Sequence, residues 1–384
     1  MLPFKKFSDP SEINEISALD KNKQINLAQG LCDFPAPPEI KKSSSLAIEE
    51  NFNMYSPTEG IIELRTTIAK KLRDFNQLIV DPITQLLVTH GATGAFVCAT
   101  MALFNFGDEV ILFEPFYLNH KEILEFHGVH VKGISIQLEN FYFCFDELQS
   151  QISKKTRGIV ICNPSNPCGK VFSKDELLKI GEIARKNKLW VISDEIYEYI
   201  TYPGYSHISF ASLQNHQDFT VTISGFSKTY QITGWRLGYA TAPSNVIKKM
   251  TAIQDLLYVC APTPLQQGII EALNLPDIYY ISLRHSYLLK RDFMIDALIK
   301  MGFTLSIPQG ACYIFADCSK FFDDDEEATS KILRHAHVAL TPGRNFYFNK
   351  RLRKCRLRFC YAVEQNKLQQ AIYQMQCYFS SMSQ

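Results

Sequence analysis

Long apolar runs are missing from this chain: nowhere do eighteen uncharged apolar residues follow one another, so no membrane-crossing helix is expected. Net charge is nearly missing too. A formal balance of +1 leaves no overall field to draw nucleic acid or an acidic membrane surface, and neither is expected as a partner. The eleven cysteines are an odd number without a CxxC pair, and in 384 residues they are too sparse for the framework of a small secreted domain. They read as buried reduced thiols. The nine histidines form no HExxH and the cysteines no paired zinc spacing, so no metal is expected. GATGAF lacks the GxGxxG of a dinucleotide loop, and DDDEEATSKIL lacks the turn glycine of a calcium loop. The acidic run is expected instead to open a helix, its carboxylates near the positive dipole end. The opening MLPFKKFSDPSEI has two lysines but no apolar stretch behind them, which does not read as a signal peptide. There is no internal repeat and no low-complexity linker. The expected address is cytoplasmic.

What is present is ordinary globular composition, 46% apolar and 21% charged, at a length beyond which a single core stops growing. Two domains are therefore expected. Short apolar or β-branched runs, QLLVTHG, DEVILFEP, VHVKGISI, RGIVICNP, KLWVISDE, FTVTISGF and RLGYATAP, alternate with amphipathic stretches. In SKDELLKIGEIARKNK, Leu177, Leu178, Ile180, Ile183 and Ala184 make one apolar stripe. Alternating strand and helix predicts a mostly parallel sheet covered on both faces, with ligands beyond the carboxyl ends of the strands.

The residues that follow each strand are then candidates for one shared rim. They are Gly91-Ala92-Thr93, Glu114 to Tyr117, Asn163 to Pro167, Asp194 with Tyr197, and Ser224 to Lys228. A loop of small residues opening a helix offers unpaired N–H groups to a phosphate, and Arg236 can add a bidentate contact to the same anion. A lysine, a phosphate site and a strand-end carboxylate together suggest pyridoxal 5'-phosphate. Its aldehyde needs an amine, and its ring nitrogen needs an anion to remain protonated.

SGFSKTYQITGWRLGYA resembles the cofactor-lysine segment of class I, fold type I, pyridoxal-phosphate aminotransferases. NPSNPCGKVFSKDEL, VISDEIYEYITY, INLAQGLCDFPAPPEI, YSPTEGIIELR and CRLRFCYA resemble further segments of that family, so the similarity runs from about residue 12 to the C-terminus. The subgroup of methionine and kynurenine aminotransferases is the nearest in pattern. The resemblance implies a large α/β domain over 45–280 with a mostly parallel seven-stranded sheet between helices. The rest, 1–44 as an arm and 281–384, would form a smaller α+β domain. It implies that Lys228 carries the cofactor, that Arg236, Ala92, Thr93 and one of Ser224 and Ser227 hold its phosphate, and that Asp194 pairs with its ring nitrogen. Asn166 and Tyr197 would bond its ring oxygen and Tyr117 would stack on the ring. Arg358 would clamp the substrate α-carboxylate, which Asn166 also faces, with Gly30 leaving room for it. Tyr55 would reach the phosphate across a homodimer interface. Lys228, Asp194 and Tyr197 are the implied catalytic residues.

Each residue also has a plainer reading. Asp194 can cap a helix, Tyr117 and Tyr197 can be core, and the run KRLRKCRLRF around Arg358 can be a basic patch. The alternation of Arg356, Arg358 and Cys360 with Leu357 and Phe359 predicts a strand with one apolar face. The chain also departs from the family pattern. Gly225 stands where many relatives have a phosphate-binding serine, and Leu31-Cys32 follows Gly30 where Phe-Pro is frequent. No second arginine is assignable to a side-chain carboxylate. The implied activity is transfer of the amino group of a methionine-, glutamine-, aromatic- or kynurenine-like donor to a 2-oxo acid. Aspartate transamination and carbon-sulfur β-elimination are the alternatives on the same scaffold. A non-enzymatic cofactor-binding regulator is the remote one, since the roughly 25 residues before INLAQG are too few for a helix-turn-helix domain.

Overall fold

The computed structural model describes residues 24–348 and 355–382; the opening MLPFKKFSDPSEI and residues 350–354 of the basic run lie outside them. In chain order the strands are β1 (Ile25–Asn26), β2 (Leu86–His90), β3 (Glu109–Glu114), β4 (His130–Ser135), β5 (Thr156–Cys162), β6 (Trp190–Asp194) and β7 (Thr220–Gly225). They continue with β8 (Leu237–Thr241), β9 (Thr304–Leu305), β10 (Tyr313–Asp317), β11 (Val338–Ala339), β12 (Thr341–Pro342) and β13 (Arg356–Cys360). The seven runs read as strands from the sequence form one sheet, ordered β2-β8-β7-β6-β5-β3-β4.

Only β8 runs against the rest, antiparallel to both β2 and β7, while the other neighbours pair in parallel. The carboxyl ends of six strands and the start of β8 therefore share one edge. Side chains alternate faces along each strand: Ile111, Phe113, Ile159 and Ile161 join one apolar cluster, and Val110, Leu112 and Val160 join another on the opposite face. The helix Lys174–Lys186 packs its stripe Leu177, Ile180, Ile183 and Ala184 into the first cluster. It starts at a capping box in which Ser173 and Glu176 satisfy each other's backbone N–H groups. The helices Gly91–Leu103 and Ser244–Tyr258 pack on each other over the second. Covering both faces explains why the central strands carry almost no exposed residue.

A second sheet, β12-β13-β10-β9, is antiparallel, and β1 pairs in parallel with β11, which ties the N-terminal segment to the C-terminal part of the chain. The long helix Asp277–Met301 and the helices Asp325–Ala336 and Gln365–Met382 contribute to its core. Asp324 caps Asp325–Ala336 by accepting from the N–H groups of Glu326 and Glu327, both at 2.9 Å, as the acidic run predicts. One expectation needs correction. β13 does not have a single apolar face: Leu357, Arg358, Phe359 and Cys360 are all buried, because β13 is an inner strand and its Arg358 side faces a cavity.

The rim requires one close approach. A Cβ on Gly238 of β8 would stand 2.6 Å from both Ala92 N and Gly91 C and 2.9 Å from Ser224 O, all backbone atoms that cannot swing away. Gly238→Ala should therefore push the start of the helix Gly91–Leu103 off the sheet and cost about 1–3 kcal/mol, read as a lower denaturation midpoint.

Candidate active site

The rim opens into a cavity of about 830 Å³ lined by Gly30, Ala92, Thr93, Tyr117, Asn166, Asp194, Tyr197, Ser227, Lys228, Arg236 and Arg358 among others. Eleven of the thirteen residues singled out from the sequence thus meet in one place. The two others do not line it. Ser224 is buried with its Oγ donating to Glu198 Oε1 at 2.8 Å, on the side of the sheet end away from the cavity, so of the two serines Ser227 faces the phosphate corner. Tyr55 is 81% exposed at the surface of this chain.

At one corner, β2 runs straight into the helix Gly91–Leu103, with Gly91 at φ +67°. No side chain caps that helix and no acidic residue occupies its first turn, so its leading N–H groups face the cavity uncompensated. Arg236 reaches the same corner because β8 starts there. Its backbone is left-handed at φ 54°, and Nη1 donates to Thr233 O at 3.0 Å. A Cβ on Gly91 would come within 2.8 Å of Arg236 Nη2, so the glycine is what lets the guanidinium lie against the helix start. Among the described residues no carboxylate pairs with Arg236. A helix N-terminus, an unpaired arginine, and the hydroxyls of Thr93 and Ser227 fit a phosphate.

Asp194, at the end of β6, is 6% exposed; its Oδ1 accepts from Ile196 N at 3.1 Å and its Oδ2 lies 2.9 Å from His120 Nε2. A carboxylate only accepts, so Nε2 carries the proton. His120 is itself held between rings, stacked on Phe96 at 4.3 Å and edge-on to Tyr117 at 5.1 Å. Burial pushes the Tyr117 hydroxyl up to about 12, and Asp194 adds to that. Tyr197 Oη lies 2.8 Å from Tyr313 Oη, and burial raises the hydroxyls of both well above their ordinary value. Lys228 Nζ donates to Gly30 O at 2.5 Å, and a Cβ on Gly30 would overlap Tyr313 Oη and stand 3.2 Å from Lys228 Nζ.

Arg358 closes the cavity from the second sheet. Nη1 donates to Asn166 Oδ1 at 2.9 Å, and Nη2 to Ala28 O at 2.6 Å and Thr341 Oγ1 at 3.2 Å. Its guanidinium lies over Tyr313 at 4.7 Å and Phe346 at 5.1 Å. Only neutral oxygens accept from it, Nε has no partner, and the residue is 8% exposed. A cation so placed lacks a counter-anion among the described residues, which fits a carboxylate brought by a ligand.

Sequence reasoning missed His120 and Tyr313. His120 stands three residues after Tyr117, the N-cap of the helix Leu118–Phe126, but nothing in that spacing marks its pairing with Asp194; Tyr313 had no local signal either. It also missed that Glu326, Thr329, Ser330 and Leu333 of the helix Asp325–Ala336 form part of the lining.

An amine, a phosphate corner, a buried carboxylate and a buried cation on this rim define a pyridoxal-phosphate enzyme on a fold type I scaffold. Comparison with known proteins narrows the class. Residues 22–374 match the family profile of aminotransferase class I and II. The chain is 31% identical over 373 residues to aromatic-amino-acid aminotransferase 2 of Thermococcus litoralis, spanning 96% of this chain and 95% of that one. Aspartate aminotransferase of Pyrococcus abyssi is 33% identical over 373 residues, again 96% and 95%. Among solved structures, N-succinyldiaminopimelate aminotransferase of Mycobacterium tuberculosis superposes with a TM-score of 0.91 at 30% identity, covering 95% of each chain. YbdL of Escherichia coli, with a methionine aminotransferase function, superposes with 0.91 at 28% identity, covering 97% of this chain and 99% of that one. The chain belongs to the class I and II aminotransferases and is a pyridoxal 5'-phosphate-dependent transaminase acting on amino acids and 2-oxo acids.

Hydrogen bonds to a charged group contribute about 1.5–3 kcal/mol. Arg236→Ala should therefore raise the dissociation constant for pyridoxal 5'-phosphate roughly 10- to 100-fold, measured by titrating cofactor-free protein and following the visible band.

Proposed function

We propose that this transaminase takes its amino group from an L-amino acid with a neutral or aromatic side chain, such as methionine, glutamine, phenylalanine or kynurenine, and passes it to a 2-oxo acid in a ping-pong cycle. The observation that carries the reading is one cavity holding an amine, a buried carboxylate and two cations without carboxylate partners among the described residues. One cation serves the cofactor and the other the substrate. With the cofactor bound, Arg236, Ala92, Thr93 and Ser227 would hold the phosphate, Asp194, oriented by His120, would pair with the ring nitrogen, Asn166 and Tyr197 would bond the ring oxygen, and Tyr117 would stack on the ring. The bound cofactor supplies an electron sink for the substrate α-carbon. Arg358 binds the α-carboxylate, and Gly30 keeps the space beside it free. Lys228 Nζ removes the proton from Cα as general base and returns a proton as general acid, a role that typically contributes about 100- to 10,000-fold.

The side-chain preference rests on the remaining lining. Besides Lys228, Arg236 and Arg358, no lysine or arginine among the described residues lines the cavity, whereas Leu118, Ile123, Leu333, Leu340 and Phe346 do. A side-chain carboxylate finds no further lysine or arginine among the described residues of the lining. The names of the aromatic and methionine relatives favour the same preference, while those of the aspartate aminotransferases favour the alternative of aspartate as donor. A division into 45–280 and a unit formed by 1–44 with 281–384 belongs to this proposal, supported by the pairing of β1 with β11. So does a cytoplasmic address, supported by eleven cysteines that stand as free thiols.

Adding single amino acids to the holoenzyme should bleach its visible band with methionine, glutamine, phenylalanine or kynurenine, and a 2-oxo acid should restore it. Bleaching by aspartate alone would overturn the preference, and ammonia with pyruvate from a cysteine conjugate without any 2-oxo acid would identify a β-lyase. Lys228→Ala should have no turnover; wild-type turnover would remove Lys228 from its role.

The proposal includes a homodimer in which Tyr55 of each chain reaches the other's phosphate. Met54 and Tyr55 are both 81% exposed, and Thr58, three residues after Tyr55, donates through Oγ1 to Asp255 Oδ1 at 3.2 Å, next to Leu256, which is 85% exposed. Exposed apolar side chains on segments tied together in this way suit an interface. Sedimentation should give about twice the 43.9 kDa chain mass; a monomer would remove the role of Tyr55.

A further inference from the structure

Behind the cavity, the turn that presents Asp194 and Tyr197 sends Glu195 and Glu198 the opposite way, into a buried polar compartment. Glu195 is fully buried. Its Oε1 accepts from Ser193 Oγ at 2.8 Å, Ser209 Oγ at 3.1 Å and Phe210 N at 3.0 Å, and its Oε2 lies 3.1 Å from His207 Nε2. Glu198 accepts from Ser224 Oγ through Oε1 at 2.8 Å, and through Oε2 it meets Lys71 Nζ at 2.5 Å and Asn76 Nδ2 at 2.8 Å. Lys71 also donates to Asn76 Oδ1 at 2.8 Å and Tyr239 Oη at 3.1 Å, its ammonium over the rings of Phe75 and Tyr199. The acceptor atoms of Glu195, Glu198 and His207 lie within 4.8 Å of one another, a spacing that suits a metal ion, but the Lys71 ammonium already stands against Glu198 as its cation. Burial would push the Glu198 carboxyl up, yet Lys71, His207 and Asn76 hold it below its ordinary value, while burial lowers the Lys71 ammonium against the pull of Glu198.

Buried ion pairs add little to stability relative to apolar packing of the same shape, because both charges lose their hydration. This network has a second feature that stability alone does not require. It joins the two strand ends that carry the reacting groups. Glu195 N donates to Ile223 O at 2.7 Å, tying the end of β6 to β7, and Ser224 Oγ, four residues before Lys228, anchors Glu198, the residue after Tyr197. Within the turn, Glu198 N donates to Glu195 O at 2.9 Å and Ile200 N to Tyr197 O at 2.8 Å.

We propose that Lys71, Glu198, Glu195 and Ser224 are positioning residues that set the Asp194–Tyr197 turn and the Lys228 strand end in register with each other. The proposal rests on the reading of Lys228, Asp194 and Tyr197 given above. Ser224, which does not line the cavity, acts through Glu198. Among the described residues the Asp194 carboxylate meets only His120 and the backbone N–H of Ile196, so a shift of its turn changes the electrostatic setting of the cofactor ring without touching any ligand directly.

The test uses holoenzyme of the wild type, of the double variant Lys71→Met with Glu198→Gln, which leaves no unpaired buried charge, and of Ser224→Ala, which keeps both charges paired. The visible band of the cofactor bound at Lys228 is titrated against pH, the melting temperature of each cofactor-free protein is measured, and kcat and KM are separated. The proposal expects the apparent pKa of the band to move by at least 0.5 unit in the double variant and in the same direction, by less, in Ser224→Ala. It further expects kcat to fall at least 10-fold in the double variant while the KM of the donor, held by Arg358, changes less than 3-fold. A merely structural role would lower the melting temperatures and leave the band's titration and kcat of the folded fraction at wild-type values, and that result overturns the proposal. Should the double variant fail to fold, Ser224→Ala decides alone: an unmoved titration overturns the proposal. A wild type that never acquires the band would instead overturn the reading of Lys228, and the proposal with it.

Discussion

The rest of the site depends on a positive charge that the protein buries without neutralising it. Arg358 is 8% exposed, and the groups that accept from it are an amide oxygen, a main-chain carbonyl and a hydroxyl. These come from three places: Asn166 follows β5, Ala28 follows β1, and Thr341 belongs to β12. Neutral acceptors orient a guanidinium but leave its charge unmet, and in a low-dielectric surrounding the unmet charge favours any anion that can enter. The two sheets, the N-terminal segment and the loop after β5 thus converge on one point because the cation needs partners from all of them. Holding the charge in readiness costs stability, and ligand binding offsets that cost.

Much of this was legible in the residues. Each strand of the large sheet announced itself as a short apolar run, because strands buried on both faces cannot afford alternation. The rim followed from the rule that parallel strands all end on one side, and the reversal of β8 explains why Arg236, which precedes a strand, joins residues that follow strands. Ser224 against Ser227 shows where local reading stops. Both flank the lysine within four residues, yet Ser224 still belongs to β7 and the pleat directs it to Glu198, whereas Ser227 lies past the strand end and turns into the cavity. His120 and Tyr313 lay beyond reach for another reason: their partners Asp194 and Tyr197 are 74 and 116 residues away, and nothing local marks such a pairing.

The turn after β6 divides its labour by direction. Asp194 and Tyr197 face the ligand side, Glu195 and Glu198 the interior, and the interior pair is satisfied by hydroxyls, an amide, an imidazole and one ammonium. A carboxylate exposed to a cavity must tolerate changing company as ligands come and go. Its neighbours one residue along have partners that never leave, so the backbone between them is held from behind while its front side works.

Transamination places an unusual demand on such a site, since donor and acceptor occupy it in turn and share only the carboxylate and the α-carbon. On the proposed reading Arg358 addresses the shared part from β13, while Thr329, Ser330 and Leu333 of the helix Asp325–Ala336, which also line the cavity, face the part that differs. On the proposed reading, an anchor common to both half-reactions must be rigid, and the Arg358 guanidinium is fixed by three acceptors and two aromatic faces. The part that discriminates need not be. Short hydroxyls and one leucine can make contact with more than one side chain at small energetic differences, because a methylene more or less in an apolar pocket is worth only about 1–3 kcal/mol. A site built this way, on the proposed reading, takes several neutral donors through one α-carboxylate grip, its selectivity against acidic ones resting on the absence of a fourth cation among the described residues of its lining rather than on any contact that it makes.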